Sequence, residues 1–408
     1  MAAPGAAAFE PDGALDIGGH FKYRFVRTWL PDDSLLRDLA GPFADDHGAD
    51  ARLSLAWRRD GWELQADYQL VAVHADTLSL AGALPRGPRP AGLPGDARRW
   101  WDLTHVIEDD PPRALLHRFD RLSVGYTTAR STWRFGRQAI SWGNGLIYTP
   151  MDIFNPFDPA AVDKEFKPGD DMLYAQFLGA RGDDVQVVAV VRRDPLTGDV
   201  ETDEGSLAAK YHGFAGATGF DLLAARHFDE TVLGAGFNRD VAGAVVSGDL
   251  TWADTAEGGV FSAVAGLSWA WSLGGHNVTS LAELYYNGFG QGDGDYAPAT
   301  LAANPRLLER VARGELYTLG RRYAAASATV ELTPLTRLAP TVFVNLDDPS
   351  ALAQLTLTHD WRQDLLLIAS VNLPLGPSGS EFGGIPSPAP GRTLGTGPGV
   401  FFQLARYF

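Results

Sequence analysis

An alternation of apolar and polar side chains, with a period of two, is the feature of this sequence that most restricts its fold. Every second position from Trp62 to Ala72 is apolar, and the positions between them begin with the polar series Glu63, Gln65, Asp67 and Gln69. This period is typical of a β-strand with one apolar and one polar face. Similar stretches recur to the C-terminus, roughly 18 in all, and they predict an all-β chain.

The connections between these stretches alternate in length. Tight turns rich in Gly, Asp, Asn and Pro lie at 58–62, 128–131, 180–184, 215–218, 273–277, 333–337 and 360–364. The longer connections lie at about 31–49, 76–116, 143–170, 194–204, 290–315 and 374–396. Short turns at one end and long loops at the other indicate a transmembrane antiparallel up-and-down β-barrel of about 18 strands. We therefore predict a periplasmic tail over residues 1–13 and an outer-membrane barrel over residues 14–408.

A soluble all-β protein, such as a propeller, is the main alternative to a membrane barrel. A propeller repeats its sequence about every 40 residues, and the chain shows no such repeat. Many predicted strands are also longer than soluble strands usually are, and long enough for a tilted membrane crossing. Aromatic side chains lie on the apolar faces near the strand ends, as in the girdles of membrane barrels: Trp57, Trp62, Tyr68, Tyr126, Trp133, Tyr211, Trp252 and Tyr286.

Composition and motifs exclude several kinds of function. The chain has no cysteine, which rules out disulfides, thiolate metal sites and cysteine nucleophiles. Its net charge of −16 argues against a nucleic-acid partner. The sequence contains no nucleophile elbow, phosphate-binding loop or zinc-protease motif. We therefore expect no enzymatic activity, no cofactor and no metal. The sequence has no run of 18 apolar residues, so no transmembrane helix is predicted.

The two ends of the chain suit export to the outer membrane. The start, MAAPGAAAFEPDG, lacks the basic and apolar regions of a signal peptide, and we interpret it as a mature chain with an added Met1. The other end, GVFFQLARYF, finishes on an aromatic residue. It resembles the C-terminal signal that the insertion machinery of bacterial outer-membrane barrels reads, with Phe408 as the signal residue. Arg406 departs from that pattern, because an apolar residue is usual there.

Short helical patterns occur in three long connections, at 34–43, 98–110 and 303–317. Each predicts a turn or two of helix. The expected role is packing over or into the barrel mouth, and a disordered surface loop is the alternative for the first two.

The connection at 143–170 is both apolar and broken by proline. Its large apolar side chains need burial, its prolines exclude a regular ladder, and lipid does not accommodate irregular backbone. We predict that it folds into the lumen and narrows the pore; the alternatives are an extracellular loop packed on its neighbours and a surface that docks a partner. The candidate constriction residues are Tyr148, Asp152, Phe154, Asn155, Phe157, Asp158, Asp163, Lys164, Glu165, Lys167, Asp170 and Asp171.

The polar positions of the strands predict the lining of the lumen. The candidates are Lys22, Arg24, Arg52, Glu63, Asp67, Arg121, Arg134, Gln138 and Gln176. Both signs of charge occur among them, so a basic lumen is not evident. Alternation places Arg137 on the lipid side with Trp133 and Phe135, where a charge costs about 2–4 kcal/mol at the midplane. We expect either a β-bulge at Gly136 that returns Arg137 to the lumen or a position at the membrane interface.

One segment carries a family resemblance. The run GRQAISWGNGLIYTPMDIFNPFDPAAVDKEFKPGDDMLYAQF, residues 136–177, resembles porin-like barrels of Gram-negative outer membranes, including alginate-export-type barrels and uncharacterised porin relatives. The shared theme is a Gly-Arg-Gln strand, an aromatic-Gly exit and an inward loop with Asn-Pro and Asp. It covers about a tenth of the chain, and it implies a channel barrel of about 18 strands.

These observations predict an outer-membrane channel for passive passage of small hydrophilic or amphiphilic solutes. The alternatives are an export pore for a polysaccharide that works with periplasmic partners, a structural sleeve around a partner protein, and a membrane-embedded hydrolase. The expected partners are membrane lipid, lipopolysaccharide and the barrel insertion machinery, and periplasmic or oligomeric partners stay open. The transported solute and the direction of transport do not follow from the sequence.

Overall fold

The computed structural model describes residues 14–83 and 93–408, so the predicted tail at 1–13 lies outside the described residues. The strands are β1 (Ala14–Trp29), β2 (Phe43–Arg59), β3 (Trp62–Ala75), β4 (Thr104–Asp110), β5 (Arg113–Thr127), β6 (Ser131–Gln138), β7 (Asp170–Leu178), β8 (Asp184–Val190), β9 (Ser206–Ala215), β10 (Thr218–His227), β11 (Glu230–Val241), β12 (Ala244–Thr255), β13 (Gly258–Leu273), β14 (His276–Tyr286), β15 (Arg322–Thr333), β16 (Thr336–Asn345), β17 (Ser350–Arg362), β18 (Leu365–Leu375), β19 (Ile385–Pro386), β20 (Thr393–Leu394) and β21 (Gly399–Tyr407).

The helices are short and lie in the long connections: α1 (Leu35–Ala40), α2 (Asp76–Ala83), α3 (Pro298–Ala302) and α4 (Pro305–Arg313). The helices predicted within 34–43 and 303–317 are confirmed as α1 and α4. The helix predicted at 98–110 is wrong, because that segment pairs with β5 as β4. None of the helices in the described ranges is long and apolar enough to cross a membrane.

Eighteen of the strands in residues 14–83 and 93–408 form a closed antiparallel barrel. These strands are β1 to β3, β5 to β18 and β21, and each pairs with the next in chain order. The last strand, β21, pairs with β1 from His20↔Tyr407 to Thr28↔Gly399, which closes the ring. The predicted all-β up-and-down barrel of about 18 strands is therefore confirmed.

Tight turns join the strands at one end of the barrel, here called the short-turn end, where β1 begins and β21 ends. In the β2–β3 turn, Asp60 and Gly61 have φ angles of 51° and 85°. Two successive positive φ angles are those of a type I′ turn, whose twist matches that of the flanking strands. The opposite end, here called the long-loop end, carries the long connections and all four helices.

The outer face of the barrel is apolar. In β1, Leu15 and Ile17 are 59% and 62% exposed, whereas the inward His20 and Lys22 are buried. The same alternation continues around the wall, so exposed large apolar side chains cover the outside. An apolar surface of this extent is unfavourable in water and suits the hydrocarbon of a bilayer.

The wall is irregular where β6 ends. β5 pairs with β6 through Leu122–Thr127, and nearer the long-loop end it pairs with β4 through Arg113–Arg118. Residues 98–101 continue this replacement, because Arg99 bridges Arg192 beyond the end of β8. The segment 93–110 thus occupies the wall position that β6 vacates when the chain turns into the lumen.

Arg137 lies at this seam and is completely buried. Its guanidinium donates to Asp171 at 2.8 Å, to Asp96 at 2.9 Å and to the carbonyl of Trp101. The predicted bulge at Gly136 is absent, since the pairing of β6 is in continuous register on both sides. Arg137 instead lies one residue from the end of β6, where the segment 93–110 supplies its partners and shields it from lipid. A bulge does occur in β5, where the register shifts opposite Asp67 and both Asp120 and Arg121 are buried.

Candidate functional site: the passage beside the inward loop

The chain leaves the wall after Gln138 and re-enters it at Asp170, and residues 139–169 lie inside the barrel. We call this segment the inward loop. It begins four residues before the predicted segment, 143–170. Asp170 and Asp171, predicted as constriction residues, belong instead to β7 and are buried in the wall against Arg192 and Arg137.

Two wall carboxylates hold the first turn of the inward loop. Glu283 on β14 accepts hydrogen bonds from the backbone N–H groups of three successive residues, Leu146 (2.6 Å), Ile147 (3.1 Å) and Tyr148 (2.9 Å). Asp249 on β12 accepts from the N–H groups of Asn144 and Gly145. Backbone donors that leave a strand ladder need other partners, and these carboxylates supply them.

Apolar side chains fix the next part of the inward loop against the inner wall. Met151 and Phe154 are almost fully buried and pack with Trp142 on the inner faces of β7 to β12. Tyr148 stacks on Tyr285 with ring centroids 4.7 Å apart. Tyr148 and Phe154 therefore face the wall and not an open pore. Burial of these side chains, at roughly 1.5–3 kcal/mol each, makes the inward loop part of the core.

A buried ion pair braces the inward loop on itself. Lys167 lies 2.6 Å from the carboxylate of Asp152 and also donates to the carbonyl of Ile140. Burial is the largest influence on both groups. It raises the pKa of Asp152 to about 6 in spite of the lysine, and it lowers the pKa of Lys167.

The end of the inward loop crosses the lumen to the strands that close the barrel. Asp163 accepts hydrogen bonds from Lys22 on β1 and from Gln403 on β21, both at 2.8 Å. Glu165 lies 2.7 Å from Lys22 and accepts from the hydroxyl of Tyr407. Burial opposes the ionisation of Asp163, but the charge of Lys22 and the hydrogen bonds from Lys22 and Gln403 together outweigh it and hold the pKa of Asp163 below its usual value. The inward loop is thus attached to opposite sides of the barrel.

A cavity of about 520 Å³ remains between the inward loop and the inner faces of β1, β2, β3 and β5. Seven cationic side chains line it, namely Lys22, Arg24, Arg52, Arg99, Arg118, Lys167 and Arg313, together with His20. Three acidic side chains line it, Asp50, Asp120 and Asp163. A neighbouring cavity of about 280 Å³ shares Arg99 and Arg313 with it and adds the cations Arg98 and Arg192 and the carboxylates Asp170 and Glu315. The passage is therefore basic, although the whole chain is acidic.

Arg118 is a buried cation of this passage whose donors are not fully used. The residue is 2% exposed, and its Nε and Nη2 atoms have no hydrogen-bond partner among the described residues. The carboxylates of Asp96 and Asp120 lie 3.8 and 3.7 Å from Nη2, which is close enough for attraction but too far for a hydrogen bond. Unsatisfied buried donors are costly, and they mark a place where an acceptor can bind.

The connection between β14 and β15 narrows the mouth from the other side. Asn304 caps α4 by accepting from the N–H of Leu307, and Gly314, with φ 72°, ends the helix. After α4, Tyr317 donates to the carbonyl of Pro156 in the inward loop at 3.2 Å. The contact places Arg313, Gly314 and Tyr317 in the lining of the 520 Å³ cavity.

The remaining predicted residues divide into three groups. Lys22, Arg24, Arg52, Asn155, Asp163 and Lys167 line the cavity. Asp67, Arg121 and Gln138 are buried, and Phe157, Asp158 and Lys164 are partly buried within the inward loop. Glu63, Arg134 and Gln176 lie towards the short-turn end, where Arg134 is 3.9 Å from Glu63 and Gln176 donates to Asp184.

The predicted set lacks several residues of the lining, among them Arg99, Arg118, Arg313 and Phe166. Of these four, Arg118 carries a signal, because in HRFDR, residues 117–121, Arg118 and Asp120 alternate with His117 and Phe119. Both signs of charge line the cavity, but cations are in excess there, because other lumen carboxylates, such as Glu283 and Asp249, anchor the inward loop instead.

One buried cluster has the residue types of a hydrolase. His227 lies 2.8 Å from the Oγ atom of Ser206 and 3.3 Å from Glu315. However, Ser206 also accepts a hydrogen bond from Arg192, and all three side chains are buried inside the barrel. A hydrolase of the membrane surface needs an exposed nucleophile, and this cluster does not provide one.

The sequence matches no protein-family model and no curated protein. Solved structures do resemble the fold. A BenF-like porin from Pseudomonas fluorescens Pf-5 superposes with a TM-score of 0.55 at 9% identity, covering 98% of this chain and 100% of that chain. OccAB1 of Acinetobacter baumannii has a TM-score of 0.55 at 10% identity, covering 97% and 96%. OccK5 (OpdH) of Pseudomonas aeruginosa also has a TM-score of 0.55 at 10% identity, covering 97% and 98%.

The likeness extends over the full length of both chains, so the fold is that of an outer-membrane porin. It supports the porin-like part of the resemblance carried by residues 136–177. It gives no support to the alginate-export-type part.

Proposed function

We propose that this protein is a passive outer-membrane channel of a Gram-negative bacterium and that it passes small hydrophilic or amphiphilic anions. The apolar outer face, the porin fold and the passage beside the inward loop support a channel. Lipid and lipopolysaccharide would surround the barrel, and the terminal Phe408 would serve its insertion. The proposal includes no enzymatic activity.

The excess of cations in the passage is the observation that carries the choice of anions. Seven Lys and Arg side chains face three acidic ones around the 520 Å³ cavity. A confined space lined by one sign of charge attracts ions of the other sign and raises their local concentration. Arg118 adds a positive charge that no hydrogen bond from its Nε or Nη2 atom to the described residues engages, and this charge attracts a carboxylate or phosphate group in transit.

The size of the passage favours small solutes over the alternatives. A polysaccharide exporter or a sleeve around a protein needs an unobstructed lumen. Here the inward loop is attached to Glu283 on one side of the barrel and to Lys22 and Gln403 on the other. The space that it leaves, about 520 Å³, is that of a small-molecule site.

Planar-bilayer recordings of the refolded full chain in a KCl gradient test the proposal. We expect a reversal potential of the sign that reports chloride over potassium. Arg118→Gln should lower this preference by roughly fivefold, the factor that corresponds to about 1 kcal/mol of attraction between charges about 4 Å apart in water. Arg58→Gln is the matched control, because Arg58 is an exposed cation at the short-turn end, paired with Glu63. A cation-selective or unselective wild-type pore would contradict the proposal.

A further inference from the structure

Phe166 is an unusual residue for the passage. It lies near the end of the inward loop, lines the 520 Å³ cavity and is 40% exposed. The side chains around it are mainly charged, and no apolar cluster of the described residues includes it. An exposed phenylalanine inside an aqueous channel gains little from the hydrophobic effect, so its position requires another cause.

The ring of Phe166 faces the cations of the barrel wall. The guanidinium carbon of Arg52 lies 4.0 Å from the ring centroid, and the Nζ atom of Lys22 lies 5.2 Å from it. The imidazole of His20 packs at a centroid distance of 5.2 Å. These are cation–π distances, at which the negative face of the ring attracts the charge. Phe166 therefore bridges the inward loop and the basic wall.

The neighbouring residues keep the ring in place. Glu165 is held by Lys22 and Tyr407, and Lys167 is held by Asp152. The backbone on each side of Phe166 is therefore attached, on one side to the wall and on the other to the body of the inward loop. The ring has little freedom to leave the passage.

The ring of Phe166 packs against the guanidinium of Arg52. Arg52 bonds Asp120, and Asp67 lies 3.6 Å away, but its Nε atom has no hydrogen-bond partner among the described residues. The ring covers one face of the guanidinium and excludes water from it, which strengthens the attraction between that charge and an anion nearby. A ring of this size also takes up part of the cross-section of the passage.

We infer that Phe166 is a selectivity residue of the channel: its ring limits the aperture and positions Arg52 and Lys22 for the passing anion. This inference rests on the proposed function. It assigns the narrow part of the passage to a ring–cation contact between the inward loop and β1 and β2, and not to the aspartates of the inward loop alone.

Three variants of the full chain separate the size of the ring from its π face. Phe166→Ala removes both, so conductance should rise and the chloride preference should fall by roughly two- to fivefold, the factor expected for loss of an exposed cation–π contact. Phe166→Leu keeps much of the bulk, so its conductance should stay near that of the wild type while its chloride preference falls as in the alanine variant. Phe166→Tyr keeps both and should behave like the wild type.

The measurements are single-channel conductance and reversal potential in a KCl gradient, and the heat-dependent gel shift of a folded barrel checks each variant. Wild-type chloride preference in the leucine variant would overturn the role of the ring face. Unchanged conductance in the alanine variant would overturn the role in the aperture. If the wild-type channel is unselective, both the proposed anion preference and the selectivity role of Phe166 are refuted. If the alanine variant then still has a raised conductance, Phe166 remains the side chain that limits the aperture.

Discussion

Removal of the Glu283 carboxylate should release the first turn of the inward loop while the barrel stays folded. Glu283 accepts three backbone hydrogen bonds from Leu146, Ile147 and Tyr148, and the side chain lies on the inner face of β14. In Glu283→Ala these three buried donors lose their acceptor. Each unsatisfied donor costs about 1–3 kcal/mol. Because water in the lumen can replace part of the lost hydrogen bonding, we use the lower limit for each of the three donors, which gives about 3 kcal/mol in total.

A penalty of about 3 kcal/mol raises the population of a detached turn by roughly 150-fold relative to the attached state. Asp249 and the apolar contacts of Met151 and Phe154 remain, so the change should appear as fluctuation and not as complete loss of the inward loop. Single-channel recordings should show frequent transitions to a higher conductance, whereas the wild type should show a steady level.

Glu63→Ala is the matched control. Glu63 is also a lumen carboxylate, but it binds Arg58 near the short-turn end and makes no contact with the inward loop. Its current should stay steady. If Glu283→Ala gives the same steady level as the wild type and the control, the three hydrogen bonds do not hold the turn and the reasoning fails.

Three further outcomes are expected. Deletion of residues 146–168 should raise the single-channel conductance, and an unchanged current would show that the inward loop does not limit the pore. Arg137→Met leaves the buried Asp171 without an ionic partner among the described residues, while Asp96 keeps Arg99 at 3.1 Å. The free energy of unfolding in urea should therefore fall by about 3–5 kcal/mol, and a loss below 1 kcal/mol would contradict the shielded ion-pair network at the seam. The pKa of Asp152 is about 6, raised from 3.8, so lowering the pH from 7.5 to 5 should neutralise its carboxylate, leave Lys167 charged and increase the chloride preference. The raised pKa also makes the free energy of unfolding depend on pH. The stabilisation that comes from protonated Asp152 is fully present below about pH 4 and is lost as the pH rises through about 6. Asp152→Asn should show no such step, and a step of equal size in that variant would assign it to another group.

The barrel itself could be predicted because its information is local. A strand with one face in lipid and one in the lumen repeats every two residues, so Trp62–Ala72 shows its class without any knowledge of its neighbours. Turns such as Asp60-Gly61 mark the boundaries, since a type I′ turn needs residues that accept positive φ. The inward position of residues 146–157 also followed, because an apolar segment rich in proline fits neither water nor lipid.

The details of the passage could not be predicted, because they depend on contacts between distant residues. Arg137 looks like a lipid-facing charge until Asp96, 41 residues away, and Trp101 are placed over it. Glu283 looks like one more lumen carboxylate, and only the fold brings it to the backbone of Tyr148, 135 residues earlier. Phe166 has lysine and aspartate near it in sequence, but this does not indicate which cations lie against its ring in the folded chain.

The contacts of Asp163 set an order on assembly. Its carboxylate binds Lys22 on the first strand of the barrel and Gln403 on the last, which are 141 and 240 residues away from it along the chain. Both contacts exist together only when β1 and β21 are paired. The end of the inward loop can therefore reach its final position only in a completed ring, whereas the contacts of its first turn with β12 and β14 do not require that closure.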